Sequence, residues 1–519
     1  MNPPPSGRAS TSFLARAYVV VSFLAVAPSL RVWLQSPMEI TRWEFDYFVG
    51  LFGDAPTPEW LRYTMAGCFA FSLCLLLGGL LFWAIAARLE SEDEVSDGRT
   101  VREATWLLVT VFLAGVPFLN VDVFFYIGKG WLESGYGLSP YSAAMTGVPS
   151  WETEGMFRNV YWGFRSHVDS NYGPFFFKVA AALTWLSGGS EKAALALFKV
   201  VSLGLHLLAG AIVARLVPPE RRRFTFFVYV LNPVSLYSFV TAAHNDVLMN
   251  ALVLAGLLAF RRGRPLGAGL ALGMAAAVKY VPLAFLPFFV ATLFPWTREQ
   301  LRERGLGPLL RLVLGFTAAF VAAHALYPEG FHSLLVAAEG GSGSIRSSLR
   351  HVAFLVHLLV VPIDAAAFLR VTNLLFVLAY GVISVRFVLA RRAERKGFGL
   401  EEAATISVLA YFLLANSSNH EWYLSWILGF ALAAPDRAFS AFAVRISALY
   451  MALVVYTVNS PTAVVWVTNT VQYFVLLGCA APLLWRLARR PADGDERDDA
   501  PNGTHPAASP QAFRDDPLP

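Results

Sequence analysis

Long apolar stretches recur along this chain and constrain its fold more than any other feature. Segments of about 20 mostly apolar residues, long enough to cross a bilayer as a helix, occur from Phe13 to Trp485 with polar residues between them. Since 56% of the 519 residues are hydrophobic and only 15% are charged, a soluble chain of this length would be hard to keep in solution. The sequence predicts an all-α, polytopic membrane protein with about 11 to 14 membrane segments.

Short basic loops between the apolar segments indicate the orientation of the chain. The clearest are residues 221–223, 261–264, 298–304, 391–396 and 486–490. Because short loops rich in Lys and Arg stay in the cytoplasm, we expect the helix ends near His244, Lys279 and Trp422 on the extracytoplasmic face. The same clustering accounts for the net charge of +5, so no nucleic-acid partner is implied.

Composition divides the chain into three parts. Residues 1–103 are predicted to form an N-terminal membrane segment of two helices, residues 104–488 the main transmembrane module, and residues 489–519 a cytoplasmic tail. We predict that the tail is disordered because it is rich in Asp, Pro, Gly and Ala and lacks apolar periodicity. Within the module, residues 172–186 form a short segment opened by Gly173-Pro174, which we expect to enter the bilayer without crossing it.

Asp122 is the first candidate for a functional site. It follows an apolar segment and begins a long loop that continues through Tyr126 to Tyr172 and Gly173. A carboxylate at a helix end beside the bilayer is costly unless it is hydrated, paired or functional. A solvated aspartate in the interfacial zone explains Asp122 equally well, and the aromatic residues around it are typical of an interfacial belt.

Two further polar segments lie between apolar ones. In the segment 243–246, Asn245 or Asp246 could simply cap the helix that follows. Lys279 interrupts the apolar stretch 266–294, so it must snorkel, pair or face a polar cavity. The polar turn at 416–423 is explained by capping and an aromatic anchor as readily as by a function.

The order of these motifs resembles one family. Asp122 is followed by Asn232-Pro233, His-Asn-Asp at 244–246, the segment 268–282 ending in Lys-Tyr-Val-Pro, and Trp-Tyr-Leu-Ser-Trp at 422–426. This pattern resembles the bacterial polyprenyl-phosphate-mannose-dependent mannosyltransferases of the GT-C superfamily, in particular the actinobacterial alpha-1,6-mannosyltransferases of lipoglycan assembly.

The resemblance implies a fold, a donor and a base. Members have many transmembrane helices, a long first extracytoplasmic loop, a lipid-linked sugar donor and an acidic catalytic base in that loop, which falls here on Asp122. Many members carry paired acidic residues, whereas here Asn120 and Asp122 flank Val121. No metal and no cofactor is therefore expected. Cys68, Cys74 and Cys479 lie in apolar segments without metal-ligand spacing, so they are predicted to pack in the core.

The chemistry of such a transfer suits these residue types. The departing polyprenyl phosphate is a weak base, so it needs nearby positive charge more than a proton donor. A single base, Asp122, would take the proton of the attacking hydroxyl in one inverting displacement. The residues expected to bind the donor phosphate are Lys279, His244, Arg165, His167 and His420. Those expected to bind substrate are Tyr126, Tyr172, Asn245, Asp246 and Trp422.

Two functions from different classes follow from these features. The first is an enzyme of the bacterial cytoplasmic membrane that moves a hexose, with mannose as the expected sugar, from a polyprenyl phosphate to an extracytoplasmic glycan or glycolipid. The second is a transporter or lipid flippase, because broken helices and a lysine within the membrane also mark transport sites. The long loop that carries Asp122 favours the enzyme, and no second copy of the His-Asn-Asp or Lys-Tyr-Val-Pro motif supports an inverted repeat.

Overall fold

The computed structural model describes most of the chain. The described residues are 11–35, 59–91, 98–115, 122–149, 151, 154–157, 170, 172–327, 329–334, 349, 356, 365–393, 398–416, 421–458 and 462–489. Three residues predicted to bind the donor phosphate, Arg165, His167 and His420, lie outside them, as do residues 490–519 of the predicted tail.

The regular secondary structure of the described residues consists of helices, and these residues form no strand. They are α1 (Thr11–Gln35), α2 (Glu59–Ser91), α3 (Gly98–Ala114), α4 (Asp122–Tyr136), α5 (Pro174–Leu186), α6 (Glu191–Arg215), α7 (Pro219–Val230), α8 (Pro233–Thr241), α9 (Asp246–Arg261), α10 (Pro265–Ala276), α11 (Leu286–Leu293), α12 (Arg298–Arg304), α13 (Gly307–His324), α14 (Ala365–Arg392), α15 (Leu400–Leu414), α16 (Ser425–Ala433), α17 (Arg437–Val458) and α18 (Thr462–Ala488). Short 3₁₀ turns are Met145–Gly147, Gly155–Phe157, Val281–Ala284 and Glu421–Leu424.

Several of these helices can cross a membrane. Four of them, in α6, α13, α14 and α18, are long and apolar enough among the described residues, and two bent pairs of helices raise the number to six. The prediction of an all-α polytopic membrane protein is confirmed, while the number of 11 to 14 segments stays a prediction. Helix α5 has 13 residues, or about 20 Å at 1.5 Å per residue, so it is shorter than the hydrocarbon core of about 30 Å.

Small residues let the helices approach closely. Helices α10 and α13 pack along Gly269 and Gly273, where an added Cβ would lie 2.1 Å from the Leu312 carbonyl oxygen and 2.4 Å from that of Phe316. Gly269 and Gly273 are four residues apart, as in the small-xxx-small pattern of membrane helix pairs. This contact fixes the position of α10, and with it the Lys279 that follows.

The N-terminal helices pack against the rest of the bundle. Gly79 of α2 meets α17, since an added Cβ would lie 2.0 Å from the Ala448 carbonyl oxygen. The hydroxyl of Tyr18 on α1 donates to the Leu231 carbonyl oxygen at 2.9 Å. The division of the chain at residue 103 stays a prediction.

One end of the bundle is rich in arginine. There Arg221 donates to the Ala434 carbonyl oxygen at 3.3 Å, and Arg261 pairs with Glu401 at 2.5 Å. Helix α9 runs from Asp246 to Arg261, and the Lys279 end of α10 follows Arg264 in the same hairpin. The polar residues singled out in the sequence therefore lie at the end opposite these arginines.

Candidate active site

The turn between α8 and α9 carries His244 into the site. Helix α8 begins as an α-helical turn, Pro233–Ser235, and continues as a π-helix, Leu236–Thr241. Ala243 then adopts a φ of +49°, a left-handed conformation that is unfavourable for a residue with a Cβ. Both irregularities cluster at functional sites, and here they lie directly before the buried His244.

His244 lies between two aspartates. Its Nε2 is 3.2 Å from Oδ2 of Asp122, the first residue of α4. Its Nδ1 is 2.5 Å from Oδ2 of Asp246, the first residue of α9. The two carboxylates are 124 positions apart in the chain, at residues 122 and 246, and the imidazole joins them directly.

Asp246 also holds the lysine at the end of α10. Lys279 Nζ donates to both Asp246 oxygens, at 3.1 and 3.0 Å. The indole N–H of Trp426, on α16, donates to Asp246 Oδ1. Asp246 and Lys279 are both buried, and a buried charge is stable only when it is paired and hydrogen-bonded. Asp122, His244, Asp246 and Lys279 thus form a continuous polar chain.

Aromatic rings enclose this polar chain. Trp422 stacks on the His244 ring, with the centroids 4.4 Å apart and the planes at 24°. Lys279 Nζ lies 4.7 Å from the ring centroid of Tyr423 and 5.1 Å from that of Trp426, within reach of cation–π attraction. These rings exclude water from one side of the site.

Tyrosine hydroxyls line the side of the site near α4. The Tyr172 hydroxyl donates to Asp122 Oδ2 at 3.2 Å. The Tyr126 hydroxyl lies 3.1 Å from His244 Nε2 and 3.3 Å from both the Tyr172 hydroxyl and Asn245 Oδ1. Asp122 is therefore hydrogen-bonded in a buried site, and the alternative of a fully solvated helix-end aspartate does not describe it.

Gly173 brings Tyr172 against the end of α10. Its N–H donates to the Val278 carbonyl oxygen at 2.9 Å. A Cβ at this position would lie 2.2 Å from the Ala277 carbonyl oxygen, so only glycine permits this approach. The contact sets Tyr172 beside Lys279, whose Nζ is 5.7 Å from the tyrosine ring centroid.

Capping of α9 does not account for Asn245 and Asp246. Asn245 occupies the N-cap position of α9 but forms no side-chain capping hydrogen bond there. Its Nδ2 is buried and has no hydrogen-bond partner among the described residues. By contrast, Asn232 does cap α8, since its Oδ1 accepts from Val234 N and Ser235 N. Capping therefore explains Asn232 but not the buried amide of Asn245.

Helices α4 and α5 form a lobe beside the site. Lys129 Nζ donates to the carbonyl oxygens of Pro140 and Ala143, at 2.8 and 3.1 Å, which fixes the loop after α4. Glu133 on α4 pairs with Lys178 on α5 and accepts from the Tyr327 hydroxyl. Burial and the Glu133 carboxylate raise the pKa of Tyr327 above its usual range, so this phenol remains a hydrogen-bond donor at neutral pH.

The C-terminal end of α3 is held in place just before Asp122. The buried Lys199 on α6 donates to the Gly115 carbonyl oxygen. The Thr241 hydroxyl at the end of α8 donates to the Phe112 carbonyl oxygen at 2.8 Å. These bonds link the segment that leads to Asp122 with the helix that leads to His244.

The structure brings most of the residues singled out in the sequence close together. The predicted residues that lie together are Asp122, His244, Lys279, Tyr126, Tyr172, Asn245, Asp246 and Trp422. Trp426, Tyr423 and Lys199 were missed as candidates, although the Trp-Tyr-Leu-Ser-Trp motif contains the first two. Within the described part of the chain, no group of three His, Cys, Asp or Glu residues is arranged to hold a metal ion.

Comparison with known proteins adds the family. Residues 50–295 match the family described as alpha-(1->6)-mannopyranosyltransferase, N-terminal domain, and this stretch includes Asp122, His244, Asp246 and Lys279. The chain is also 27% identical over 412 residues to alpha-(1->6)-mannopyranosyltransferase A of Mycobacterium tuberculosis (strain ATCC 25618 / H37Rv). The aligned region covers 74% of this chain and 75% of the relative. These two matches support the resemblance of this chain to the GT-C mannosyltransferases.

The similarity to mannosyltransferases bears on the two functions that the sequence left open. A mannosyltransferase acts on a sugar donor and a glycan acceptor, so the enzyme is favoured over the transporter. The match begins at residue 50, so it includes α2 as well as the helices around the site. The polar chain from Asp122 to Lys279 is then the candidate active site of this protein.

Proposed function

We propose that this protein is a mannosyltransferase that moves a mannosyl residue from a polyprenyl phosphate to a glycan or glycolipid at the extracytoplasmic face, with Asp122 as the base. The proposal rests mainly on one observation. The Asp122 carboxylate stands at the N-terminus of α4, within hydrogen-bond distance of Tyr172 and His244.

Asp122 has the placement that a general base needs. It is 5% exposed, so it is accessible at one edge while hydrogen bonds hold its carboxylate in place. A base must reach the proton that it removes, and burial with fixed partners keeps the carboxylate in one orientation. The acceptor oxygen attacks the anomeric carbon as its proton passes to Asp122. The bond between that carbon and the phosphate oxygen breaks at the same time, and its electron pair leaves with the phosphate.

Among the described residues, the contacts of Lys279 support it as the proposed cation for the donor phosphate. Two of its contacts go to Asp246, and an ammonium group has a third N–H to donate. His244 has a carboxylate at each ring nitrogen, so we assign the phosphate contact to Lys279 first. Arg165, His167 and His420 remain proposed helpers for the phosphate.

The positions of the arginines support the proposed side of the membrane. Arg221 and Arg261 lie at the end opposite the site, and basic helix ends remain in the cytoplasm. A polyprenyl chain lies in the bilayer, so its phosphate is presented at the membrane surface. Donor and acceptor therefore meet outside the cytoplasm, at the start of α4.

The linkage can be proposed from the relative and the mechanism together. The mycobacterial relative is named for an alpha-(1->6) linkage, and we propose the same linkage here, on a primary hydroxyl of a mannoside. Since a single displacement inverts the anomeric carbon, an alpha product requires a beta-linked donor. Tyr126, Tyr172, Asn245 and Trp422 are the proposed contacts of the substrates.

Purified full-length protein in lipid nanodiscs tests this proposal. It would be incubated with beta-linked mannosyl phosphate on a polyprenol carrying a labelled sugar, and with an alpha-linked oligomannoside acceptor. We expect labelled product with the beta-linked donor, none with the alpha-linked donor and none with a nucleotide-linked mannose. Transfer from the nucleotide donor instead would overturn the donor assignment.

The base is tested by Asp122→Asn with Glu133→Gln as the matched control. Both residues are carboxylates on α4, but Glu133 contacts Lys178 and Tyr327 away from the polar chain. Loss of a general base lowers the rate by about 10² to 10⁴. We expect that loss for Asp122→Asn with donor binding retained, and near-normal transfer for Glu133→Gln. Normal turnover by Asp122→Asn would remove Asp122 from the mechanism.

A further inference from the structure

The position of His244 between Asp122 and Asp246 suggests a route for the proton after transfer. We propose that His244 receives the acceptor proton from Asp122, and that Asp246, held by Lys279 and Trp426, keeps the imidazole oriented to receive it. This inference rests on the proposed function, because it needs Asp122 as the base. Asp246 and Lys279 are then positioning residues.

Asp246 determines which ring nitrogen of His244 receives the proton. The Nδ1 atom is 2.5 Å from Asp246 Oδ2, so this carboxylate favours the tautomer of the neutral imidazole that carries its proton on Nδ1. That tautomer leaves a lone pair on Nε2, which is 3.2 Å from Asp122 Oδ2. Tyr126 lies 3.1 Å from the same nitrogen and can donate to it before the transfer and accept from it afterwards.

Lys279 and Trp426 keep Asp246 ionised and immobile. Two N–H···O contacts from Lys279 and one from the Trp426 indole converge on this carboxylate. An imidazolium formed at His244 would therefore face a fixed negative charge in a site with little water, where such an interaction is strong. The arrangement stabilises the charged histidine when it forms.

The charged and titratable groups that face His244 come from several elements. They are Asp122 and Tyr126 on α4, Tyr172 before α5, Asp246 on α9 and, through Asp246, Lys279 after α10. The ring of Trp422 covers one face of the imidazole. Two carboxylates, Asp122 and Asp246, thus adjoin His244. Lys279 neutralises the charge of Asp246 only.

The proton balance of the step is simple. During the displacement the acceptor O–H bond breaks, and Asp122 becomes a neutral carboxylic acid. Its proton then moves from Oδ2 to Nε2 of His244, which leaves Asp122 ionised and makes the imidazole a cation paired with Asp246. The cation returns the proton to water as the products leave, so the site begins the next cycle in its original state.

The acid side of the pH–rate profile distinguishes this route from a structural role. If His244 receives the proton, activity falls when His244 is already protonated. The profile of His244→Gln would then depend on Asp122 alone. Because a histidine ordinarily titrates at a higher pH than a carboxylate, we expect the acid limb of the kcat profile to move toward lower pH in His244→Gln.

Transfer kinetics of the full-length protein from pH 4 to 9 would test this, with His206→Gln as the control. His206 is also buried, but its Nε2 contacts the Val230 carbonyl oxygen rather than a carboxylate. We expect His244→Gln to lower kcat by about ten- to hundredfold and to shift the acid limb of its pH profile. In His206→Gln the acid limb should stay at the wild-type pH. An unshifted limb in His244→Gln would overturn the proposal.

A charge-neutral double variant covers the case in which single changes prevent folding. Asp246→Asn with Lys279→Met removes both charges of the pair, which avoids leaving one buried charge alone. We expect this variant to fold and to show the same shifted acid limb as His244→Gln. A normal profile in the double variant would overturn the role of Asp246.

The two proposals fail in different ways. If the wild-type protein shows no transfer from the polyprenyl phosphate donor, the proposed function is wrong. If the wild type transfers mannose and Asp122→Asn does not, while His244→Gln keeps the wild-type acid limb, only the route through His244 is wrong.

Discussion

Helix α9 has an ion pair at each end, and the two pairs differ in their surroundings. At the N-terminus, Asp246 is fully buried and pairs with Lys279 at 3.0 Å. At the C-terminus, Arg261 pairs with Glu401 at 2.5 Å, and 44% of the arginine side chain is exposed. Glu401 accepts from both Nε and Nη2 of this arginine. The C-terminal pair ties α9 to α15 and faces water on one side.

The difference shows what each end of the helix does. The N-terminal pair continues through His244 to Asp122, so a change there alters both the packing and the surroundings of the proposed base. The C-terminal pair stabilises the helix contact only, and water screens part of its charge. Variants at the N-terminus should therefore affect stability and catalysis together, and variants at the C-terminus stability alone.

The largest effect is expected from Lys279→Met. This change leaves the buried Asp246 carboxylate without its cation, which costs about 3 to 5 kcal/mol for a buried pair. We also expect weaker binding of the donor than of the acceptor, because Lys279 is the proposed phosphate contact. Thermal unfolding in nanodiscs and separate titrations of donor and acceptor would measure the two effects.

Lys178→Met is the matched control for that variant. Lys178 also pairs with a glutamate, but 35% of its side chain is exposed. A surface ion pair contributes about 0 to 1 kcal/mol, so stability and donor affinity should stay near the wild-type values. Unchanged stability and donor affinity in Lys279→Met would mean that Lys279 only extends toward the membrane surface.

Gly173→Ala is expected to have the next largest effect. The new methyl group would meet the Ala277 carbonyl oxygen at 2.2 Å, and relieving such a clash costs about 1 to 3 kcal/mol. Because Tyr172 would move away from Asp122, transfer should fall about tenfold or more. Gly155→Ala is the control, since nothing lies within 4 Å of its added Cβ. Full activity in Gly173→Ala would show that Tyr172 need not touch the base.

Much of this arrangement follows from the sequence. Apolar segments predict the helical membrane fold, and the basic loops assign alternate helix ends to opposite faces. The positions of those loops predict that His244 and Lys279 lie on the same side of the membrane, and Asp122 joins them if residues 172–186 enter the bilayer without crossing it. The family resemblance adds an expected role for Asp122, because it implies an acidic base in the first long loop.

The contacts among these residues could not be predicted in the same way. Asp246 and Lys279 are 33 positions apart, and Asp246 and Trp426 are 180 apart. Such pairing depends on how helices meet, which local periodicity does not encode. The left-handed conformation of Ala243 could not be predicted either, because alanine rarely adopts a positive φ. Lys199 lies within an apolar helix, and the sequence around it does not indicate which group it contacts.

Lys199→Met is expected to have a smaller effect that concerns catalysis more than stability. Methionine keeps the apolar bulk of the buried side chain but cannot hold the Gly115 carbonyl oxygen at the end of α3. A small displacement of Asp122 should lower transfer by about three- to tenfold. The exposed Lys192, near the start of the same helix, provides the control as Lys192→Met. If both variants transfer mannose equally fast, the end of α3 does not position the base.

Arg261→Gln should have the smallest effect and is the most direct test of the difference between the two ends of α9. Glu401 is 2% exposed, so losing its partner has a cost, but the arginine is close to half exposed and Arg391 also acts on Glu401. We therefore expect a loss of about 1 to 2 kcal/mol in the free energy of unfolding, after allowance for screening by water. The rate of transfer at saturating substrates and the acid limb of its pH profile should not change. A fall in kcat of about tenfold or more, measured below the unfolding temperature of the variant, would mean that both ends of α9 act on the site. The helix would then transmit changes along its length, and the separation between a catalytic end and a structural end would be wrong.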